Sequence, residues 1–266
     1  MNPPQLEGKR IVITRPEGNA SNALRDALAA YGATVLEIPL LEIEYTADAS
    51  VLENVWEDMG QFDWLLFTSA NGAQGFFDRF FETFNDIRGI GLCRLACIGQ
   101  STAATLRNFH LNVELIPDES TSAALARALL AREDIAHLRI LLVTGSRDNG
   151  SLARTLEEKG HAIVTSLTVY STTENDASQL DTTESFRRHG ADAIIFASPS
   201  AVESFVAQAA SLTPAKTARH PKVVAIGPTT TASLREHGIP VAAQASSPDP
   251  LALAQAVASA ISPSIP

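Results

Sequence analysis

The chain has 266 residues, about twice an ordinary single-domain length, so two domains are expected and each is long enough to bury a core. Its 30 acidic against 20 basic residues give a net charge of -10 with no basic run, which argues against a nucleic-acid or anionic-membrane surface. The longest apolar runs, such as "RILLV" and "WLLF", fall far short of the roughly 20 residues of a spanning helix, and "MNPPQLEGKR" has no apolar signal core, so the chain reads as cytoplasmic.

In chain order, the run Ile11 to Ile13 in "GKRIVITRPEGN" reads as a buried strand. The helix after it carries Leu24, Ala27, Leu28 and Tyr31 on one stripe and stops at Gly32, a residue suited to a left-handed cap. A second strand is expected over Val35 to Ile38. Cys93 and Cys97 share period-2 positions with Leu95 in "CRLACI" and read as buried strand thiols. Zinc would need further soft or imidazole ligands, and the six histidines lack ligand spacing, so no metal is expected.

From Cys97 the words "CIGQSTAATLRNFHLNV" return as "AIGPTTTASLREHGIPV" from Ala225, an offset of 128. "FTSANGAQGFF" from Phe67 answers "FASPSAVESFV" from Phe196, and "RIVITR" from Arg10 answers "RILLVT" from Arg139, both at an offset of 129. "DAS" at Asp48 recurs at Asp176, and "PDE" at Pro117 is echoed by "PDP" at Pro248. The pattern is that of an old tandem duplication.

Strands alternating with helices imply an α/β protein with parallel sheets covered on both faces. The right-handed crossover then gathers the turns at the carboxyl ends of the strands, where such sheets bind ligands. Six turns matter: "TRPEGN" from Thr14, "TSANG" from Thr68, "GQST" from Gly99, "TGSRDNG" from Thr144, "SPS" from Ser198 and "GPTTT" from Gly227. Each puts Ser, Thr, Asn or Gly where a helix begins, so hydroxyls and free N–H groups are expected to point outward, toward a carboxylate or phosphate. Any one of them could be an ordinary N-cap. Six in duplicated pairs favour an anion-rich cleft without identifying the anion. "TGSRDNG" lacks the spacing and lysine of a Walker loop, no G-x-G-x-x-G follows a strand, and residue order supports no Ser-His-Asp set.

Taken in order, "VITRPEGNASNALRDALAAYGATVLEIPLLEIE", "FTSANG", "IGQSTAATL", "LTVYST", "IIFASPSAVESF" and "VAIGPTTTASLREHGIPV" resemble the uroporphyrinogen-III synthase family, over about Lys9 to Val257. The resemblance implies two flavodoxin-like lobes, each a parallel sheet flanked by helices: residues 1–42 with 173–266, and residues 43–172. Segments 39–45 and 168–173, both rich in β-formers, would pair antiparallel as a two-stranded hinge beside a substrate cleft. It also implies a lyase that closes hydroxymethylbilane, an open chain of four pyrroles with eight carboxylates, to uroporphyrinogen III. The last ring is inverted through a spiro intermediate and water is released, in heme, siroheme and cobalamin biosynthesis. No metal or organic cofactor is implied, and the enzyme would be a monomer in transient contact with the preceding enzyme of the pathway.

Residue by residue, the resemblance makes Tyr170 in "TVYST" the general acid for the departing hydroxide, a task within reach of a phenol. A linker tyrosine that only packs its ring is the competing reading. Substrate contacts fall on Thr14, Arg15, Ser69, Asn71, Ser101, Thr102, Arg147, Ser198, Ser200, Thr229 and Thr230. Helix amides, Arg15 and Arg147 would reconcile eight carboxylates with a net charge of -10; Arg25 and Arg154 lie further along their helices and read as solvated. Asp148 is expected to pair with Arg147, and Pro199 to remove one backbone donor. A bilobal binding or sensing module for an acidic small molecule is the alternative, and a nucleotide-dependent transferase a weaker one. "MNPPQ" and "SPSIP" are expected to be frayed tails.

Overall fold

The computed structural model describes residues 6–16 and 18–261, so the two expected tails lie outside the described residues. The strands are β1 (Arg10–Ile13), β2 (Thr34–Glu37), β3 (Leu41–Glu44), β4 (Trp64–Phe67), β5 (Arg94–Cys97), β6 (Arg139–Gly145), β7 (Ile163–Glu174), β8 (Ala193–Phe196), β9 (Lys222–Ala225) and β10 (Ala243–Gln244). The helices are α1 (Asn19–Ala30), α2 (Ala49–Glu57), α3 (Ala70–Thr83), α4 (Gln100–Asn108), α5 (Ser122–Arg132), α6 (Ser151–Gly160), α7 (Asp181–His189), α8 (Pro199–Ala207), α9 (Ala209–Leu212), α10 (Pro228–Glu236) and α11 (Pro250–Ile261). The chain divides into two compact units: unit 1 is Met1–Ile43 with Thr173–Pro266, and unit 2 is Glu44–Thr172.

Local sequence explains the elements. Leu24 and Leu28 on α1 are fully buried, and Gly32 follows the helix at φ 87, a backbone that only glycine adopts without strain. The second strand begins one residue earlier than its apolar pattern suggests, at Thr34, because its ladder with β1 starts at Arg10. The repeated "DAS" motif is a pair of caps: the side chain of Asp48 accepts from the amides of Ser50 and Val51, and that of Asp176 from Ser178. No helix among the described residues is long and apolar enough to cross a membrane.

Unit 1 holds a parallel sheet in the order β10-β9-β8-β1-β2. In the second sheet, β3-β7-β6-β4-β5, the ladders β7-β6, β6-β4 and β4-β5 are parallel. The duplication reappears in the register itself. Arg10 opposite Thr34 becomes Arg139 opposite Ile163, and Trp64 opposite Arg94 becomes Ala193 opposite Lys222. Even the lone bridge between Ala96 and Leu115 recurs as Val224 opposite Ala243.

The central ladders, however, join different copies: Ile11 lies opposite Ala193, and Trp64 opposite Ile140. The first sheet therefore takes two strands from the first copy and three from the second, and the second sheet takes three from the first and two from the second. Two equivalent aspartates latch these joins. Asp192 accepts from the Arg10 amide at 2.9 Å through its carboxylate and donates its own amide to the Arg10 carbonyl at 2.8 Å. Asp63 makes the same two bonds to Arg139, both at 2.8 Å.

At the outer edge, β3 neighbours β7. The Asn175 amide donates to the Leu40 carbonyl at 3.0 Å and the Thr46 amide to the Val169 carbonyl at 3.1 Å, so the two segments run antiparallel.

The cores differ in chemistry. Unit 2 is aromatic: Phe67, Phe76, Phe77 and Phe80 are all fully buried, and Phe76 meets Phe77 edge-on with centroids 5.0 Å apart. Unit 1 is mainly aliphatic, with Leu24, Leu28, Ile195, Leu253 and Val257 all fully buried and with Phe186 and Phe196 as its buried rings. Cys93 and Cys97 are free and buried in unit 2, and burial pushes both thiols up to about 11.

Candidate functional site

Because neighbouring strands are parallel, the ends of β1, β8 and β9 lie side by side in unit 1, each followed by a polar turn and a helix. The ends of β6, β4 and β5 do the same in unit 2. Each unit thus gathers three helix N-termini at one sheet edge, and their free N–H groups favour anions there. The six turns form two sets of three.

Within a set the side chains take distinct jobs. Ser69 and Ser198 are N-caps, accepting from the amides of Gly72 at 2.9 Å and Ala201 at 3.2 Å. Thr14 is buried and donates its hydroxyl to the Ile195 carbonyl at 2.8 Å, so its side chain ties β1 to β8 rather than pointing outward. Thr102 and Thr230 are buried as well, turned from the solvent that the turn chemistry led one to expect. Their helices begin at Gly99 and Gly227, which leave the first amides without a side-chain cap. Ser101 and Thr229 are exposed, Asn71 and Ser200 half-buried. Pro199 is the first residue of α8, where its missing N–H belongs to the turn that has no helical partner anyway.

The two arginines also separate. Arg15 follows β1, and burial pushes its guanidinium below the ordinary arginine value; among the described residues no carboxylate pairs with it. Arg147 is exposed and, contrary to expectation, does not pair with Asp148, whose carboxylate accepts instead from the Gly150 amide at 3.0 Å. Arg25 is held by Glu37 at 3.2 Å, and Arg154 donates to the Asn149 carbonyl at 3.1 Å.

Tyr170 lies on β7 in unit 2, half-buried, with its hydroxyl 3.0 Å from Ser69 Oγ. Ser69 Oγ already accepts from the Gly72 amide at the start of α3, which leaves the serine proton free to face the phenol oxygen. The phenol proton is then available to a third group, and a phenolate formed by giving it up would be met by a hydroxyl donor at a helix N-terminus. Tyr45 packs nearby over Gly75, and burial, then Asp78 and Tyr170, push its phenol up from the ordinary tyrosine value.

Two features escaped the sequence. The contact of Ser69 with Tyr170 joins residues 101 positions apart and has no local signature. Gly145 is the other: an added Cβ there would stand 2.3 Å from Tyr170 Cζ. A cavity of about 380 Å³ beside α5 is lined by Asp118 and Glu119 with Arg127, and its acidic wall disfavours a polycarboxylate.

The family model described as uroporphyrinogen-III synthase HemD matches residues 22–255. A putative uroporphyrinogen-III synthase of Methanothermobacter thermautotrophicus is 27% identical over 232 residues, 86% of this chain and 90% of that one. The uroporphyrinogen-III synthase of Synechococcus elongatus is 29% identical over 165 residues, 60% of this chain and 59% of that protein. The porphyrin biosynthesis protein HemD of Ruminiclostridium josui is 29% identical over 127 residues, 48% of this chain but 25% of that protein, so these last two matches span only a quarter to about three fifths of the relatives' lengths. Among solved structures, a mutant uroporphyrinogen III synthase of Thermus thermophilus aligns with a TM-score of 0.64 at 19% identity, covering 96% of this chain and 99% of that one. The enzyme of Helicobacter pylori gives 0.56 at 18% identity, covering 93% and 97%. At such identities the structural likeness speaks for the fold.

Proposed function

Since the chain belongs to the uroporphyrinogen-III synthase family, we propose that it closes hydroxymethylbilane to uroporphyrinogen III with release of water. The observation that carries the reading is the Tyr170 hydroxyl 3.0 Å from Ser69 Oγ at the start of α3, a proton donor whose conjugate base has a partner.

In this reading Tyr170 gives its proton to the hydroxyl leaving the first pyrrole, so that the C–O bond breaks to release water and a phenolate remains against Ser69. The pyrrole nitrogen supplies the electron pair that makes the exposed methylene an electrophile. The substituted carbon of the fourth ring attacks it, the spiro intermediate opens, and that ring recloses turned over. The proton lost from the substrate as aromaticity returns neutralises the phenolate, so bilane becomes product and water and nothing else is consumed. The open chain closes unaided to the symmetric isomer, so the enzyme's main task is to hold the ends in the other geometry, a positioning effect that can be worth several kcal/mol.

The carboxylates are met locally. Arg15 and the amides opening α1, α8 and α10 serve in unit 1; Arg147 and the amides opening α3, α4 and α6 serve in unit 2. Asn71, Ser101, Ser200 and Thr229 add side-chain donors, while Thr14, Thr102, Ser198 and Thr230 shape the turns that present the amides. A desolvated Arg15 without a carboxylate partner among the described residues supports this, because a bound carboxylate would replace the water it has lost. The enzyme works as a cytoplasmic monomer without metal or organic cofactor, and takes its unstable substrate through transient contact with the enzyme that makes it.

The test is to supply hydroxymethylbilane generated in place, oxidise the product and separate the two uroporphyrin isomers. Predominance of isomer III is expected, and Tyr170→Phe is expected to lower turnover by about 10- to 100-fold. Isomer I alone, at the uncatalysed rate, would overturn the synthase reading and leave a binding module for an acidic small molecule.

A further inference from the structure

Tyr170 is aimed by more than its own strand. Along β6 and β7 the register runs from Thr144 opposite Thr168 directly to Gly145 opposite Tyr170, so one residue of β7 is bulged out at that point. A bulge of this kind re-aims the next side chain. Val169 stays in the aromatic core at 1% exposure, while the Tyr170 ring packs at the border of that core and lies against the backbone of Gly145. A Cβ on Gly145 would stand 2.3 Å from Cζ and 2.6 Å from the hydroxyl oxygen of Tyr170, far inside contact distance. The Ser146 amide, next along the chain, fixes the backbone of the same residue by donating to the Tyr170 carbonyl at 2.9 Å.

We propose that Gly145 and Ser69 are positioning residues for Tyr170: the bare Cα of Gly145 admits the ring, and the Ser69 hydroxyl, pinned by the Gly72 amide, fixes where the phenol oxygen comes to rest. The proposal rests on the reading of Tyr170 as proton donor. Any side chain at position 145 moves the ring off its seat, and with it the hydroxyl that must meet the leaving group. The glycine is therefore a requirement of the tyrosine, not of the backbone: Gly145 is not among the residues of positive φ.

The experiment compares Gly145→Ala, Ser69→Ala, Ser69→Thr and the control Gly60→Ala, whose added Cβ meets nothing within 4 Å. Gly145→Ala is expected to lower kcat by about 10- to 100-fold, the loss expected of a misplaced general acid, with KM little changed. Combined with Tyr170→Phe it should add nothing, because both changes remove one interaction. Ser69→Ala should slow turnover and Ser69→Thr restore most of it, while Gly60→Ala matches the parent. A Gly145→Ala enzyme with unchanged kcat, or a loss that adds in full to that of Tyr170→Phe, would overturn the proposal. Thermal unfolding gives a readout independent of chemistry: Gly145→Ala should lower Tm in the parent but not in a Tyr170→Ala background, where the ring is gone. If the parent yields only isomer I, the synthase reading has failed, and this stability cycle still decides whether Gly145 seats the ring. Equal Tm losses in both backgrounds would show that it does not.

Discussion

Ser69 and Ser198 hold the same place in the two units. Each follows a fully buried strand, "WLLF" or "AIIF", and each caps its helix by accepting from the amide three residues on. Only Ser69 has a phenol against it. At the duplication's offset of 129, the place of Tyr170 is taken in unit 1 by Leu41, buried at 4% exposure, and the place of Gly145 by Pro16. On the proposed mechanism the difference separates what the scaffold needs from what the chemistry needs: among the described residues, register, caps and aspartate latches occur twice, whereas the hydroxyl pair and its glycine seat occur once. Unit 1 instead places Arg15 beside its sheet edge, so Tyr170 and the most desolvated of the candidate cations come from different units.

The cores allow the largest test of this asymmetry. Phe77 is fully buried among five rings, its centroid 4.7 Å from that of Phe109, whereas its counterpart Val206 is 38% exposed. Phe77→Ala should cost about 3–5 kcal/mol in urea denaturation, and Val206→Ala no more than about 0.5 kcal/mol. Similar costs would mean that the two helices carry equal loads and that the aromatic core is not what distinguishes unit 2.

Alkali should separate the units next. Both cysteines belong to unit 2, and burial raises their thiols from 9.0 to about 11, so the unfolded chain ionises first. Their contribution is complete below pH about 9 and declines as pH rises from about 9 to about 11. A Cys93→Ala/Cys97→Ala protein should show a shallower loss of stability across that window. An unchanged slope would assign the alkaline sensitivity to other groups.

A smaller effect compares the two caps. Ser69→Ala and Ser198→Ala should each cost about 1 kcal/mol as lost N-caps, yet only the former should lower kcat, the effect of the latter being confined to KM. An equal fall in kcat would dissolve the assignment of the proton donor to unit 2 alone.

The smallest effect concerns the left-handed positions. Gly32 and Gly238, at φ 87 and 71, correspond in unit 2 to His161 and His110, at φ 52 and 60. A left-handed backbone costs a side-chain-bearing residue about 1 kcal/mol, partly offset by glycine's greater unfolded freedom. His110→Gly and His161→Gly should therefore stabilise by a few tenths to about 1 kcal/mol, read as a higher Tm. No gain would mean that the imidazoles themselves contribute at these turns.

Much of this was legible in the residues. The offset of 129 between "RIVITR" and "RILLVT" carries over intact to strand register, because pairing depends on the alternation of side chains and that alternation was copied with the words. What the offset cannot reveal is the exchange of partners. Ile11 could face Trp64 in a tandem fold with the same alternation that faces it to Ala193 here, since the two strands are repeats of one another. The left-handed turns were readable too, with "FHLNV" set against "HGIPV" placing His110 where the other copy has glycine. The hydroxyls misled in part: a threonine three residues into a helix looks the same whether it faces water or, like Thr102 and Thr230, the interior. Arg147 and Asp148 showed the same limit, since adjacency on the chain does not decide whether a carboxylate prefers a cation or a backbone amide.

The exchange of strands also orders events in time. Unit 2 is one continuous stretch, Glu44–Thr172, and all of its own strands have been made before β8 appears. β1 must wait for β8, whose residues pair with it across a separation of 182 positions, as Ile11 does with Ala193. At ribosomal rates of about 5–20 residues per second, the first strand and helix remain without their sheet for roughly 10–40 s. During that interval the apolar stripe of α1 and the open edge of β1 face solvent beside a neighbour that can already be folded. A nascent chain halted near residue 175 should therefore protect unit 2 from protease while its first 40 residues are still cut.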